Sequence, residues 1–177
     1  MNEDGVEVLK LFSVGKDRRV FEYDMHHSQY GYLNVKNWFE IEQEAVPSSC
    51  IWYPERDSRE GLLLTANNEY KMKLWNINAR SSRKTCLGPT YGGEIVRMKE
   101  LPVHKNMDPY LIYATQKKVI GLMKLPLDGN PNKTMGLIAH PNDIVDFCAS
   151  ADGAYMFTTG GADLSVKMWK IDLYPIE

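Results

Sequence analysis

The stretch "MFTTGGADLSVKMWKID", residues 156–172, decides the fold. It sets a threonine, a glycine pair, an aspartate and a tryptophan at fixed offsets, and His140 lies a short way upstream. An acid, an imidazole and a hydroxyl are also the parts of a hydrolase triad. Recurrence separates the two readings. Catalysis needs such a group once, whereas a repeat architecture needs it in every unit.

The arrangement recurs. Trp169 is preceded by Asp163 at six residues and by Thr159 at ten. Tyr23 is preceded by Asp17 and Ser13 at the same offsets, and Trp75 by Glu69 and Thr65. A polar residue follows each ring: Asp24, Asn76 and Lys170. A degenerate copy, "YLIYATQKKVIGLMKL", carries Met123 at the ring position, Lys117 at the acid position and Tyr113 at the hydroxyl position. Positions 23, 75, 123 and 169 are separated by 52, 48 and 46 residues, a near-constant period that marks propeller blades.

The offsets describe a hairpin. The hydroxyl ends one strand, the acid sits in the tight turn, and the ring lies on the returning strand. The predicted network runs from indole N–H to hydroxyl, from hydroxyl to one imidazole nitrogen, and from the other imidazole N–H to carboxylate. A nucleophile needs an open cleft and oxyanion donors, which a hydroxyl beneath an indole lacks. An esterase-like use of Thr159 is the competing reading, which an activity-based hydroxyl probe tests.

The rest of the chain agrees with an all-β class. "VEVLKLFSV", "GLLLTA", "PYLIYAT" and "AYMFTTG" are short runs of strand formers. "RRVFEYD", "YKMKLWNI" and "SVKMWKI" alternate more nearly in polarity, and no helical period is sustained. The chain has 177 residues, 44% of them apolar, enough for a packed core. A net charge of −2 argues against a dedicated nucleic-acid binder. The start "MNEDGVEVLKLF" lacks the basic and apolar regions of a secretory signal, and no run reaches membrane-span length, so an intracellular chain is expected. Cys50, Cys86 and Cys148 are far apart and odd in number, which predicts buried reduced thiols and no zinc site or disulfide framework.

Other candidate chemistry is weaker. "DGNPNK", residues 128–133, offers Asp128, Asn130 and Asn132 as the start of a calcium loop, but Lys133 and Ala139 stand where Gly and Glu are needed. It is expected to be a polar turn. The adjacent His26 and His27 read as a solvated loop. "GPTYGG", residues 88–93, lacks the Gly-Lys-Ser/Thr of a phosphate loop. "ARSSRK", residues 79–84, reads as a basic loop with Ser81 and Ser82 as possible phosphorylation sites. No metal, cofactor or small-molecule substrate is expected.

The stretch from Ala139-His140 to Trp169-Lys170 resembles a WD repeat, with Tyr23-Asp24 and Trp75-Asn76 as the matching dipeptides of two others. The resemblance implies a β-propeller in which His140, Thr159, Asp163 and Trp169 form a structural tetrad. It places Ser13, Asp17 and Tyr23 in one equivalent set and Thr65, Glu69 and Trp75 in another. Gln43 falls near the histidine position of the second repeat, so that network is expected to be incomplete. The repeats are drawn at 1–24 (incomplete), 25–78, 79–127 (degenerate) and 128–172, with a tail at 173–177: about three and a half blades. A piece or a short product of a longer gene is expected.

"AVPSSCIWYPERDSREGLLLTANNEYKMKLWN" and "RKTCLGPTYGGEIVRMKELP" further resemble the ciliary and flagellar WD-repeat proteins of the axoneme. The nearest resemblance is to the WD-repeat subunit of the calmodulin- and spoke-associated complex at the radial-spoke base. It implies a non-catalytic scaffold that docks axonemal subunits and radial spoke components in the cytoskeleton of the cilium, binding neither membrane nor nucleic acid. A general intracellular WD-repeat adaptor outside cilia is the alternative. The WD pattern also implies that Lys16, Asn68 and Ala162, each just before the tetrad acid, and Asp143 from a neighbouring loop, lie on a partner-facing rim.

Overall fold

The computed structural model describes residues 9–54, 60–103 and 107–176. The chain divides into two compact units, one ending at Pro47 and one beginning at Ser48.

The first unit holds a three-stranded antiparallel sheet, β1 (Leu11–Val14), β2 (Arg19–Tyr23) and β3 (Val35–Glu40), in chain order. Sheet two begins at the unit boundary with β4 (Pro47–Trp52) and continues through β5 (Leu62–Asn67), β6 (Lys71–Asn76) and β7 (Ser81–Leu87). Sheet three is β8 (Ile95–Glu100), β9 (Tyr110–Thr115), β10 (Val119–Lys124) and β11 (Thr134–Ile138), and sheet four is β12 (Ile144–Ala149), β13 (Tyr155–Gly160) and β14 (Val166–Lys170). Every sheet is a meander, in which each strand pairs with its neighbour in sequence.

The repeats drawn from the sequence are out of step with these sheets by one strand. Residues 25–78 take β3 from the first sheet and β4 to β6 from the second. Residues 79–127 take β7 and β8 to β10, and residues 128–172 take β11 and β12 to β14. The basic stretch 79–84 is not a loop throughout, since β7 starts at Ser81.

Packing in the second unit explains the apolar runs. Leu62, Leu64, Ala66, Met72 and Leu74 of sheet two meet Ile95, Met98, Leu111, Tyr113, Val119 and Met123 of sheet three in one cluster. The opposite face of sheet three gives Tyr110, Ile112, Ala114, Ile120 and Leu122 to a second cluster, with Ile144, Phe147 and Met156 of sheet four. Alternate residues of β9 thus enter different clusters, and all six are buried. A strand covered on both faces reads as a continuous apolar run, which is why "PYLIYAT" does not alternate.

Candidate functional site

The network predicted around Trp169 forms, with one substitution. The indole Nε1 donates to Thr158 Oγ1 at 2.9 Å, and Thr158 Oγ1 lies 2.8 Å from His140 Nε2. His140 Nδ1 lies 2.8 Å from Asp163 Oδ2, and the Ser165 hydroxyl donates to the same oxygen at 2.9 Å. An ionised carboxylate only accepts, so Nδ1 carries the imidazole proton and Nε2 accepts from the Thr158 hydroxyl. That hydroxyl oxygen in turn accepts from the indole. Each group is therefore donor to the next, and His140 and Thr158 are almost wholly buried.

The hydroxyl is Thr158, not Thr159. Met156 stands opposite Trp169 in the β13–β14 register, and Thr158, two residues on, shares its face. Thr159 points to the other face, where its hydroxyl donates to Asp146 O at 3.2 Å and accepts from Asp146 N at 3.1 Å. The ten-residue offset fails because the paired residues Thr159 and Val166 enclose six residues. Ala66 and Met72, like Val14 and Val20, enclose five.

Where five residues connect the strands, the expected hydroxyl meets the expected ring. Trp75 Nε1 donates to Thr65 Oγ1 at 3.1 Å, and the Ser13 and Tyr23 hydroxyls are 2.9 Å apart. The acids of these two copies do not join. Asp17 is exposed in its turn. Glu69 forms a solvent-exposed pair with Lys71 at 2.7 Å. Asn67, which the sequence reading passed over, holds that turn by accepting at 3.0 Å from the backbone N–H groups of both Glu69 and Lys71. Its own signal was available: an Asn at a strand end caps turn amides. Gln43 is exposed and accepts from Arg18 Nη1 only through its backbone carbonyl, at 2.7 Å.

In sheet three the ring has moved strand. Tyr113 lies opposite Gly121, and a Cβ built on Gly121 would sit 2.3 Å from the Tyr113 ring. Burial pushes the Tyr113 hydroxyl up to about 12. It therefore stays protonated and donates to Met135 O at 3.4 Å.

The four residues expected on a rim, Lys16, Asn68, Ala162 and Asp143, are all exposed. A Cβ on Gly161 would lie 2.6 Å from the Asp143 carboxylate, so Asp143 sits against the turn that carries Ala162. In the 128–133 loop, Asp128 Oδ1 accepts from Asn130 N at 2.9 Å and Asn130 Oδ1 from Asn132 N at 3.0 Å. Lys133 pairs with Asp128 at 2.6 Å, and this bond holds the Asp128 carboxyl below its ordinary range. These oxygens are spent on a turn. His27 Nδ1 lies 2.6 Å from Asp24 Oδ2, which lowers the Asp24 carboxyl. Burial raises the thiols of Cys50 and Cys86. All three depart from the expected buried thiol: Cys50 and Cys86 are only partly buried, and Cys148 is exposed, opposite Phe157 on sheet four.

No protein-family model matches the chain. Over 99% of its length it is 40% identical to the Tetrahymena thermophila protein named cilia- and flagella-associated protein 251, of which it spans 20%. Over 95% of its length it is 41% identical to the Mus musculus protein of that name, of which it spans 13%. A Dictyostelium discoideum DDB1- and CUL4-associated factor 7 homolog is 28% identical over 74% of the chain, which spans 40% of that protein. Among solved structures, a WD40 propeller chain of Chaetomium thermophilum Polycomb Repressive Complex 2 superimposes with a TM-score of 0.67 at 16% identity. That superposition covers 91% of this chain and 34% of the other. The chain is all-β, and its fold is that of a partial WD-repeat β-propeller.

Proposed function

We propose that the chain is a non-catalytic docking scaffold of the ciliary or flagellar axoneme. It works within the radial-spoke-associated complex and supports motility. The observation that carries this reading is the 40% identity to a cilia- and flagella-associated protein across almost the entire chain. The chain is a fifth or less of the ciliary relatives' length, so the scaffold role is that of one module. The hydroxyl network supports a structural use of its polar groups. Thr158 is buried, and its hydroxyl donates to the imidazole and accepts from the indole, so its hydrogen bonds lie within the network.

The partners are axonemal complex subunits and radial spoke components, and Lys16, Asn68, Ala162 and Asp143 form the contact rim. Expression of the tagged protein in a motile ciliated cell tests the localisation. Signal along the axoneme is expected; signal confined to the cell body would overturn it. A Lys16→Glu, Asn68→Arg double variant should capture less of the axonemal partners while melting with the parent. The similarity to the DDB1- and CUL4-associated factor 7 homolog favours a second reading, a general WD-repeat adaptor outside cilia. A cell-body signal with retained partner capture would support it.

A further inference from the structure

Sheets two and three each hold four strands, and they meet at their first strands, where Ser48 Oγ of β4 donates to Ile95 O of β8 at 2.7 Å. Their far edges, β7 and β11, are paired on one side only among the described residues. Between the sheets on that side lies a cleft of about 310 Å³, lined by Cys86 and Leu87 of β7 and by Thr134 and Gly136 of β11. The deeper lining is apolar: Met72, Tyr113, Met123 and Leu127 are each at most 5% exposed. Leu87 and Tyr91 at its mouth are 63% and 62% exposed.

Further blades of a propeller add around its central axis and stack on sheet faces, so they leave the outer edges of these two sheets open. A cleft of about 300 Å³ has room for a small molecule or one side chain. The edge beside it favours a side chain, because β7 presents the unpaired backbone groups to which an extended segment adds. Charge decides the kind of segment. The run from Tyr70 to Gly93 carries five basic residues and no acidic one, in a chain of net charge −2. Glu69 offsets Lys71, and Glu60 offsets Arg83. The exposed Lys84 donates to Leu127 O in the cleft wall and has no carboxylate partner among the described residues. An ammonium has three donors, so Lys84 keeps two N–H groups for an incoming carboxylate. The one carboxylate in the described lining, Asp128, is already paired with Lys133 at 2.6 Å.

We propose that β7 and the cleft beside it dock an extended acidic segment of a protein partner. One apolar side chain of the segment enters the cleft against Met72, Met123 and Leu127, and a flanking carboxylate meets Lys84. Backbone hydrogen bonds to the edge supply affinity, the cleft fixes the register, and Lys84 selects the sign of charge. This surface is separate from Lys16, Asn68, Ala162 and Asp143, and it stands or falls independently of them and of any ciliary role.

Fluorescence anisotropy on the purified 177-residue chain tests it, with a labelled peptide that carries one leucine between two runs of glutamate. Saturable binding is expected. Lys84→Glu, Leu87→Asp, and serine in place of the peptide's leucine should each weaken it at least ~10-fold. Lys170→Glu makes the same charge change at an exposed position of sheet four and should leave binding unchanged. Lys84 and Leu87 are both exposed, so their variants should fold, which a cooperative melt verifies. Bound peptide should also slow alkylation of Cys86, which lines the cleft, and leave that of the exposed Cys148 unchanged. No saturable binding, an equal loss with Lys170→Glu, indifference to the leucine, or an unprotected Cys86 would each overturn the proposal. Tighter binding of a single-stranded oligonucleotide of equal charge would overturn it in favour of a nucleic-acid surface. Self-association of the parent that Leu87→Asp abolishes would overturn it in favour of a second copy.

Discussion

At the scale of residues, the polar core of sheet four depends on which of two adjacent threonines faces inward. Thr158→Val deletes the group that joins Trp169 to His140 and leaves the buried imidazole Nε2 and the partly buried indole N–H without that partner. Leaving a buried donor unpaired costs about 1–3 kcal/mol, so urea unfolding should show a loss of that size. Thr159→Val removes an exposed bond to Asp146 and should change stability by less than about 1 kcal/mol. Equal losses would show that the register places both hydroxyls alike. Asp163 adds a pH dependence. The hydrogen bond from His140, then that from Ser165, holds its carboxyl below the ordinary 3.8. A lowered folded pKa favours the ionised native state. The stabilisation is therefore present above 3.8 and is lost as pH falls through and below that value. The melting temperature of the parent should drop more steeply than that of Asp163→Asn as pH falls from about 5 to 3. Parallel curves would mean that Asp163 gains nothing from its partners.

At the scale of elements, sheet three shows how a hairpin can lose the ring–hydroxyl pair and keep its shape. Tyr113 fills the space over Gly121, where the opposing strand brings no side chain. A Cβ at Gly121 would come within 2.4 Å of both the Tyr113 hydroxyl and Met135 O. Gly121→Ala should therefore cost about 1–3 kcal/mol by overpacking. Gly136→Ala should cost less, because its Cβ meets the Tyr113 hydroxyl at 2.8 Å and Val119 Cγ1 at 3.0 Å. Denaturant midpoints rank the two. The hairpins were legible in the sequence because hydroxyl and ring lie on one face wherever five residues connect the paired positions. That count follows from strand geometry, so Ser13, Thr65 and Tyr113 fell where counting put them. The six-residue connection before Val166 defeated it, since two threonines in a row leave no local mark of which faces in. The roles of Asp17 and Glu69 were not legible either. Their partners would have to come from distant loops, and a repeat offset carries no information about such contacts. The outward apolar set of β14 was hidden for a related reason. "VKMWK" alternates in the ordinary way, and alternation alone does not say which half meets solvent.

At the scale of the whole molecule, burial grades from strand to strand within the second unit. Strand β9 is buried on both faces and hydrogen-bonded on both edges, and β10 shares that position. Strand β14 has a neighbour on one edge among the described residues and a solvent-facing apolar row. Opening β9 requires both clusters to separate, so its amides should exchange only through global unfolding, whereas β14 can fray alone. Hydrogen exchange at the lowest workable concentration should find β9 amides at least ~100-fold more protected than those of β14, with β5 close behind β9. Uniform protection across β9 and β14 at low concentration would mean that the second unit opens as one body. The clusters on the two sides of sheet three would then share a single barrier.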